Sequence, residues 1–286
     1  MLINGTKMLG VANENNFAIP AFNISDWAMF SGLMETCERE QAPVIMSIHP
    51  YEMALVGWDL VQAIRSRAHN SSVPVMIHWD HGASYDEVIS CIRHGFTSVM
   101  IDRSMDSFED NVAISKRVAL TAHLVDVSVE AELGTIGGTD SYAEAGTADI
   151  IYTQPDEAAR FVELTDVDSL AVAIGTRHGI CPPDLKPELR LDLLREIKKA
   201  VPRPLVLHGG SNNPDDEIAE AARSGVNKIN ISSDVKIAFM DKLREVLEDR
   251  NLREPHDIHP AAIEAMQKVA KHKLELLGTS GKAHLY

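Results

Sequence analysis

The stretch VPVMIHWDH, residues 73–81, decides the fold. Its first five residues are apolar without alternation, and it ends on two imidazoles and a carboxylate, His78, Asp80 and His81. A strand that is apolar on nearly every residue belongs to a parallel sheet covered on both faces. Working outward, similar short runs bounded by turn residues recur before and after it: FAIPAFN (17–23), APVIMSI (42–48), SVMIDRS (98–104), VSVEAELG (127–134), SLAVAIG (169–175), PLVLHGG (204–210) and KINISS (228–233). That makes eight strands, with starts 24 to 42 residues apart.

Most gaps hold amphipathic helix patterns, among them SYDEVISCIRHG, SFEDNVAISKRVALTAH and DDEIAEAARSG. Eight strand–helix units predict an α/β fold, a closed (β/α)8 TIM barrel. An open doubly wound sheet would carry G-x-G-x-x-G after its first strand, and Asn23-Ile24-Ser25-Asp26 stands there instead. From about residue 235 to residue 286 the chain reads as helix, with Pro255 between two segments. The expectation is a single domain over 1–286, its last fifty or so residues a C-terminal helical extension that leaves surface for a subunit contact.

Of 286 residues, 42 are acidic and 27 basic, a formal net charge of −15, and no Lys/Arg-rich run interrupts that field. Nucleic acid and anionic membrane surfaces are therefore excluded as partners. No run approaches 18 apolar residues, and the opening MLINGTKMLGVANEN lacks the pattern of a secretion signal, so no membrane span is expected. Cys37, Cys91 and Cys181 are odd in number and form no C-x-x-C pair. That usage suits a reducing compartment, and a cytoplasmic location is expected.

Active sites on this fold sit at the C-terminal ends of the strands, where charged or imidazole groups need an explanation. His78, Asp80 and His81 end the third strand, Asp102 and Arg103 the fourth, Glu130 and Glu132 the fifth. The sixth runs into Arg177, His178 and Gly179, the seventh into His208, Gly209, Gly210 and Ser211, and the eighth contains Asn230, Ser232 and Ser233. His94, His123, His256, His259, His272 and His284 have no such placement and read as surface or hydrogen-bonded groups. His81, His178 and His208 each lie at or just past a strand end, with Gly in the same turn, so three imidazoles can converge on one divalent metal with a coordination position left open. His78 shares a strand face with Asp80 but lies one layer deeper, which suits support rather than ligation. The turn HGGSNNP admits plain loop chemistry or anion binding through exposed N–H groups, with Asn212 or Asn213 capping the next helix.

Taken together, PAFNI, APVI, HWDHG, SVMID, VEAELG, SLAVAIGTRHG, PLVLHGGS, KINISSD and LLGTSGKA, in order from about residue 19 to residue 283, resemble the zinc-dependent class II aldolases, the fructose- and tagatose-bisphosphate aldolase group. The chain looks closer to the shorter, tagatose-type members. The resemblance implies Zn2+ on His81, His178 and His208, with Asp80 the catalytic acid beside it. It implies that Gly179, Gly209, Gly210, Ser211, Asn230, Ile231, Ser232 and Ser233 hold dihydroxyacetone phosphate, Asn230 also serving the chemistry. Asp102 and Glu132 match acidic positions that line the site or take a displaced second metal position. The family also uses a monovalent cation (Na+ or K+) near the phosphate and forms homodimers or homotetramers.

Such an enzyme reversibly cleaves a ketose 1-phosphate or 1,6-bisphosphate to dihydroxyacetone phosphate and an aldehyde. The family places a Glu shortly after Gly-Gly in the loop following the fifth strand. Here Gly137-Gly138 leads to Thr139, Asp140 and Ser141, with Glu144 further on, so Asp140 and Glu144 are the candidates for the second acid/base. Glu254-Pro255-His256 stands where many members have Asp-Pro-Arg, which weakens the case for a second phosphate. Arg103 and Arg177 replace small residues; they are either surface ion pairs or cations that favour an aldehyde with a carboxylate or other polar end. Aldolases of the other class use a Schiff-base lysine, and Lys228, the Lys in the predicted strands, falls at an N-terminal end. The competing readings are a zinc hydrolase on the same fold, which would carry His-x-His on its first strand where FAIPAFN has none, and a weakly catalytic sugar-phosphate-binding protein.

Overall fold

A computed structural model describes residues 1–138, 150–179 and 188–286. Helix α1 (Gly5–Glu14) precedes β1 (Ile19–Asn23), α2 (Trp27–Arg39), β2 (Val44–Ile48), α3 (Pro50–His69), β3 (Val75–Gly82) and α4 (Tyr85–Arg93). Then follow β4 (Ser98–Ile101), α5 (Phe108–His123), β5 (Ser128–Leu133), β6 (Gly137–Gly138), α6 (Pro155–Thr165), β7 (Ser169–Val172) and β8 (Arg177–His178). The chain continues through α7 (Leu191–Ala200), β9 (Leu205–Leu207), α8 (Asp215–Arg223), β10 (Val226–Ile231), α9 (Ser233–Val246) and α10 (Pro255–Leu276), to a 3-10 turn at Lys282–Leu285.

Eight of these strands close an all-parallel barrel in the order β1-β10-β9-β7-β5-β4-β3-β2, and β6 pairs with β8 beyond the rim. The predicted (β/α)8 barrel is the observed fold. All the barrel strands but the last are shorter than the apolar runs that announced them: β1, β2 and β3 start two residues later, and β4, β7 and β9 end three residues earlier as the tail of the run leaves the ladder for the rim. Ser232 and Ser233 likewise belong to the start of α9, not to the last strand. The Asn212/Asn213 cap is also corrected: Pro214 occupies the N-cap of α8, and Asn213 Nδ2 donates to the carbonyls of Gly209 (2.6 Å) and Ser211 (2.8 Å), bracing the turn. Helix α10 begins at Pro255 and carries Pro260 in its second turn, at the cost of one main-chain hydrogen bond.

The main core lies between the barrel wall and the helices, with Phe22, Phe30, Val75, Ile77, Val99 and Phe161 fully buried. A second, smaller cluster joins Met8, Leu9 and Ala12 of α1 to Phe17, Ile19, Ala21, Ile45 and Met76. Helix α1, unforeseen in the sequence, stoppers the N-terminal end of the barrel; its Gly5 N–H donates to Ser128 Oγ at 2.8 Å. Helix α10 packs across α9 and α2. No helix among the described residues is long and apolar enough to cross a membrane.

Candidate active site

Strand β3 departs from regular pleating where the site begins. Trp79 pairs with Val99 of β4, but the next matched pair is Gly82 with Ile101, so β3 takes three residues to cover two of its partner. The extra residue is accommodated by His81, whose φ is +51°. Such a bulge turns the chain locally and re-aims a side chain, and left-handed geometry is less costly for His than for β-branched residues. Strict alternation would send Asp80 and His81 to opposite faces. With the bulge, both line the site.

Hydrogen bonds between strands that are not neighbours must cross the lumen, and they identify the groups inside it. Asn23 Nδ2 of β1 donates to Asp80 Oδ2 at 3.0 Å, and Asn230 Nδ2 of β10 donates to Oδ1 at 3.0 Å and Oδ2 at 3.2 Å. Two amides thus orient a fully buried carboxylate as an acceptor. Burial alone would raise the Asp80 carboxyl, but the imidazoles of His81, His208 and His78 and the Lys228 ammonium together hold it well below the usual carboxylate range.

The rings of His81, His178 and His208 converge: centroids are 5.3 Å apart for His81–His178, 4.6 Å for His81–His208 and 6.3 Å for His178–His208. One ligand atom from each lies within 4.8 Å of the others. His81 Nδ1 is 2.8 Å from Asp102 Oδ2, and His208 Nε2 is 2.9 Å from Glu130 Oε1. The opposite nitrogens, His81 Nε2 and His208 Nδ1, are buried without hydrogen-bond partners. Glu132 Oε2 comes within 3.0 Å of His208 Nδ1, but out of hydrogen-bonding geometry. His81 and His208, each held by a carboxylate at one ring nitrogen with the other left without a hydrogen bond, could together with His178 hold a metal ion, and three imidazoles are a donor set that suits zinc.

The electrostatics agree. Asp80, Asp102, Glu130 and Glu132 gather around these rings, with the Lys228 ammonium among them. Burial would lower His81, but the hydrogen bond to Asp102 and the charges of Asp80, Asp102 and Glu132 push it up to about 10. His208, likewise opposed by burial, is pushed up to about 9, chiefly by Glu132 and Glu130. The pocket favours a positive charge, which protons on the rings or a bound cation would supply.

Asp102 is engaged through both oxygens, since Oδ1 accepts from the backbone N–H of Ser104 (3.1 Å) and from its hydroxyl (2.8 Å). It thereby holds the His81 ring; the sequence offered it as a residue that lines the site or takes a displaced second metal position. His81, Asp102 and Glu132 do form a second group with mutually close ligand atoms. Arg103 pairs with Asp106 through Nε and Nη2, each at 2.5 Å, and donates from Nη1 to Ala83 O at 3.1 Å, which is the ion-pair alternative. Asp140 and Glu144 lie outside the described residues, as does Cys181.

The turn after β9 lies against the start of α9. Gly209 has φ +63°, and a Cβ there would sit 2.4 Å from the Arg177 carbonyl oxygen, so no side chain fits. The Gly210 N–H is engaged with Asn230 O at 3.0 Å, which removes it from the expected phosphate donors. Ser211 Oγ accepts from the N–H groups of Ser232 (3.2 Å) and Asp234 (3.3 Å). Ile231 is the fully buried last residue of β10, and Gly179 (φ +83°) follows His178.

Sequence reasoning missed Asn23, although it too ends a strand. It also misplaced Lys228. Strand β10 begins two residues earlier than the predicted run, so Lys228 is mid-strand; it is fully buried, with Nζ 2.8 Å from both Glu130 oxygens.

The chain matches a family model described as fructose-bisphosphate aldolase class-II over residues 3–282. It is 37% identical to the fructose-bisphosphate aldolase of Thermus caldophilus over an alignment of 306 positions that covers 99% of this chain and 100% of that one. It is 37% identical to that of Staphylococcus aureus (strain Mu50) over 287 residues, 99% of each chain. Among solved structures it is similar to the YdjI aldolase of Escherichia coli K12, with a TM-score of 0.88, 33% identity and coverage of 99% and 100% of the two chains.

Proposed function

The chain belongs to the class-II fructose-bisphosphate aldolase family, and on that footing we propose that it reversibly cleaves a ketose 1-phosphate or 1,6-bisphosphate to dihydroxyacetone phosphate and an aldehyde. His81, His178 and His208 are the residues that would hold Zn2+, which when bound supplies a Lewis acid for negative charge developing on substrate oxygens. Asp80, oriented by Asn23 and Asn230, takes the proton from the C4 hydroxyl as the C3–C4 bond breaks, and returns it to the aldehyde oxygen in condensation. The proton at C3 of the ketose is assigned to Asp140 or Glu144. Ser211, the turns at Gly179 and Gly209, and the start of α9 at Ser232 and Ser233 receive the phosphate at a helix N-terminus, with a monovalent cation beside it.

The observation that carries this reading is Asp80, held by two amides and adjacent in β3 to His81, whose ligand nitrogen lies within 4.8 Å of those of His178 and His208. The test is a coupled dehydrogenase assay for triose phosphate across ketose phosphates that differ in C4 configuration, length and terminal charge. Activity on at least one member, lost on chelation and restored by Zn2+, is expected. Metal-free protein that binds phosphate tightly and cleaves no ketose phosphate would replace this reading with a binding protein. For the loop, exchange of label from tritiated dihydroxyacetone phosphate should collapse in either Asp140→Ala or Glu144→Ala; unchanged exchange in both excludes the two residues.

A further inference from the structure

Beneath the three imidazoles the barrel buries an ion pair that no step of this chemistry requires. Lys228 Nζ donates to Oε1 and Oε2 of Glu130, each at 2.8 Å, and lies 3.3 Å from His78 Nε2. Lys228 and His78 are fully buried and Glu130 is 1% exposed. An ammonium has three protons and no acceptor; here it meets three acceptors. That assigns the neighbours as well: His78 Nε2 accepts, so its Nδ1–H donates to Ser98 Oγ at 2.8 Å.

A buried ion pair seldom makes a protein more stable than apolar residues of the same volume would, so stability alone does not explain this one. The rest of the network does. Glu130 Oε1 is also 2.9 Å from His208 Nε2. An ionised carboxylate only accepts, so His208 keeps a proton on Nε2 toward Glu130, and Nδ1, which lies 3.0 Å from Glu132 Oε2 without a hydrogen bond, is the nitrogen left for the metal. Without the ammonium, Glu130 would keep the contact to His208 but lose both bonds that fix its direction from below.

Resting on the zinc reading above, we propose that Lys228 and Glu130 act as one positioning unit: the ammonium, reaching across the lumen from β10, fixes the Glu130 carboxylate, which fixes the His208 ring with Nδ1 presented to zinc. Lys228 is thereby a positioning residue, with no role as a nucleophile.

Zinc affinity is measured by competition with a chromophoric chelator for the wild type, Lys228→Met and Lys228→Met/Glu130→Gln, and the same proteins loaded with Co2+ give visible spectra of the site. Both variants should bind zinc about 10- to 100-fold more weakly, the scale seen when the outer partner of a ligating His is lost, with altered cobalt bands. The double variant, which keeps no charge in the pair, should melt close to the wild type. If the single variant fails to fold, the double variant carries the test. Wild-type zinc affinity in the single variant, wild-type affinity and cobalt bands in the double variant, or failure of both to fold would assign the pair to the scaffold and overturn the proposal. A wild type that takes up no zinc would refute the metal-site reading instead, so the two failures are distinguishable.

Discussion

The two ends of the barrel lumen are equally dry and chemically opposite. At the N-terminal end Met8, Leu9, Ala12, Phe17, Ile19, Ala21, Ile45 and Met76 pack within a few per cent of full burial. Toward the C-terminal end Asn23, His78, Asp80, His81, Glu130, Glu132, His208, Lys228 and Asn230 are buried to the same degree. The apolar end needs no partners, because dispersion and water exclusion account for it. The polar end must satisfy each group, and there buried nitrogens and oxygens remain without hydrogen bonds, at His81, His208, Glu132, Asn23 and Asn230. Burial thus marks both ends as interior; the unmatched polar atoms mark one as functional.

The comparison can be broken by deleting a group from each end. The largest effect is expected from His208→Ala, which should abolish zinc uptake and lower kcat/KM by about 10³-fold or more; metal analysis with the coupled assay checks both, and a zinc-loaded, active variant would remove His208 from the site. Asp80→Asn should keep its zinc and lose about 10²- to 10⁴-fold in kcat, the range of a general acid/base. If zinc is lost along with activity, Asp80 serves the metal and not the proton.

At the other end, Met76→Ala should cost about 2–5 kcal/mol of stability in denaturant unfolding, while kcat/KM at saturating zinc stays near the wild type. Loss of activity in the folded variant would show that the two ends are not independent.

A smaller, pH-dependent effect sharpens the contrast. In the metal-free protein His208 and His81 are raised to about 9 and about 10, above the ordinary value of about 6.5. Groups raised in the folded state contribute stability that is full below the unfolded value and is lost as pH rises through the folded one. The melting temperature of metal-free protein should therefore fall by several degrees between about pH 6.5 and pH 10, and zinc should suppress the fall by taking the protons' place. Parallel curves with and without zinc would contradict it. The smallest effect is expected at the rim: Arg103→Ala, which removes a half-exposed pair with Asp106, should change stability by about 0–1 kcal/mol and leave the choice of substrate intact. A switch in substrate preference would return Arg103 to the ligand.

Much of this was legible before any coordinates. Apolar runs, their spacing and the helix patterns between them are local signals, so eight strands and barrel closure followed, and so did the placement of Asp80 and His81 at the end of β3 and of His208 just past β9; His178 lies six residues beyond β7, on the short β8 outside the barrel. The errors cluster where local signals end. Helix α1 was passed over because its four buried positions, Gly5, Met8, Leu9 and Ala12, keep the helix repeat over only about two turns, and Gly5 and Ala12 carry little apolar weight. Asn23 and Glu130 gave only residue type and strand position, which do not distinguish a rim hydrogen bond from a lumen one. The Asn213 cap was misread because Pro214 took the capping position and released the Asn side chain to its own turn.

The sequence by itself determined the periodicity, hence the parallel barrel, and the chemistry available at its mouth, because both depend on residues within one turn or one strand. Only the tertiary structure decided which of those groups meet. The β3 bulge brings His81 to the side of Asp80, and closure of the barrel carries Lys228 across the lumen to Glu130. Those outcomes depend on register and on the stagger of strands around a closed sheet, where a shift of one residue moves a side chain to the other face.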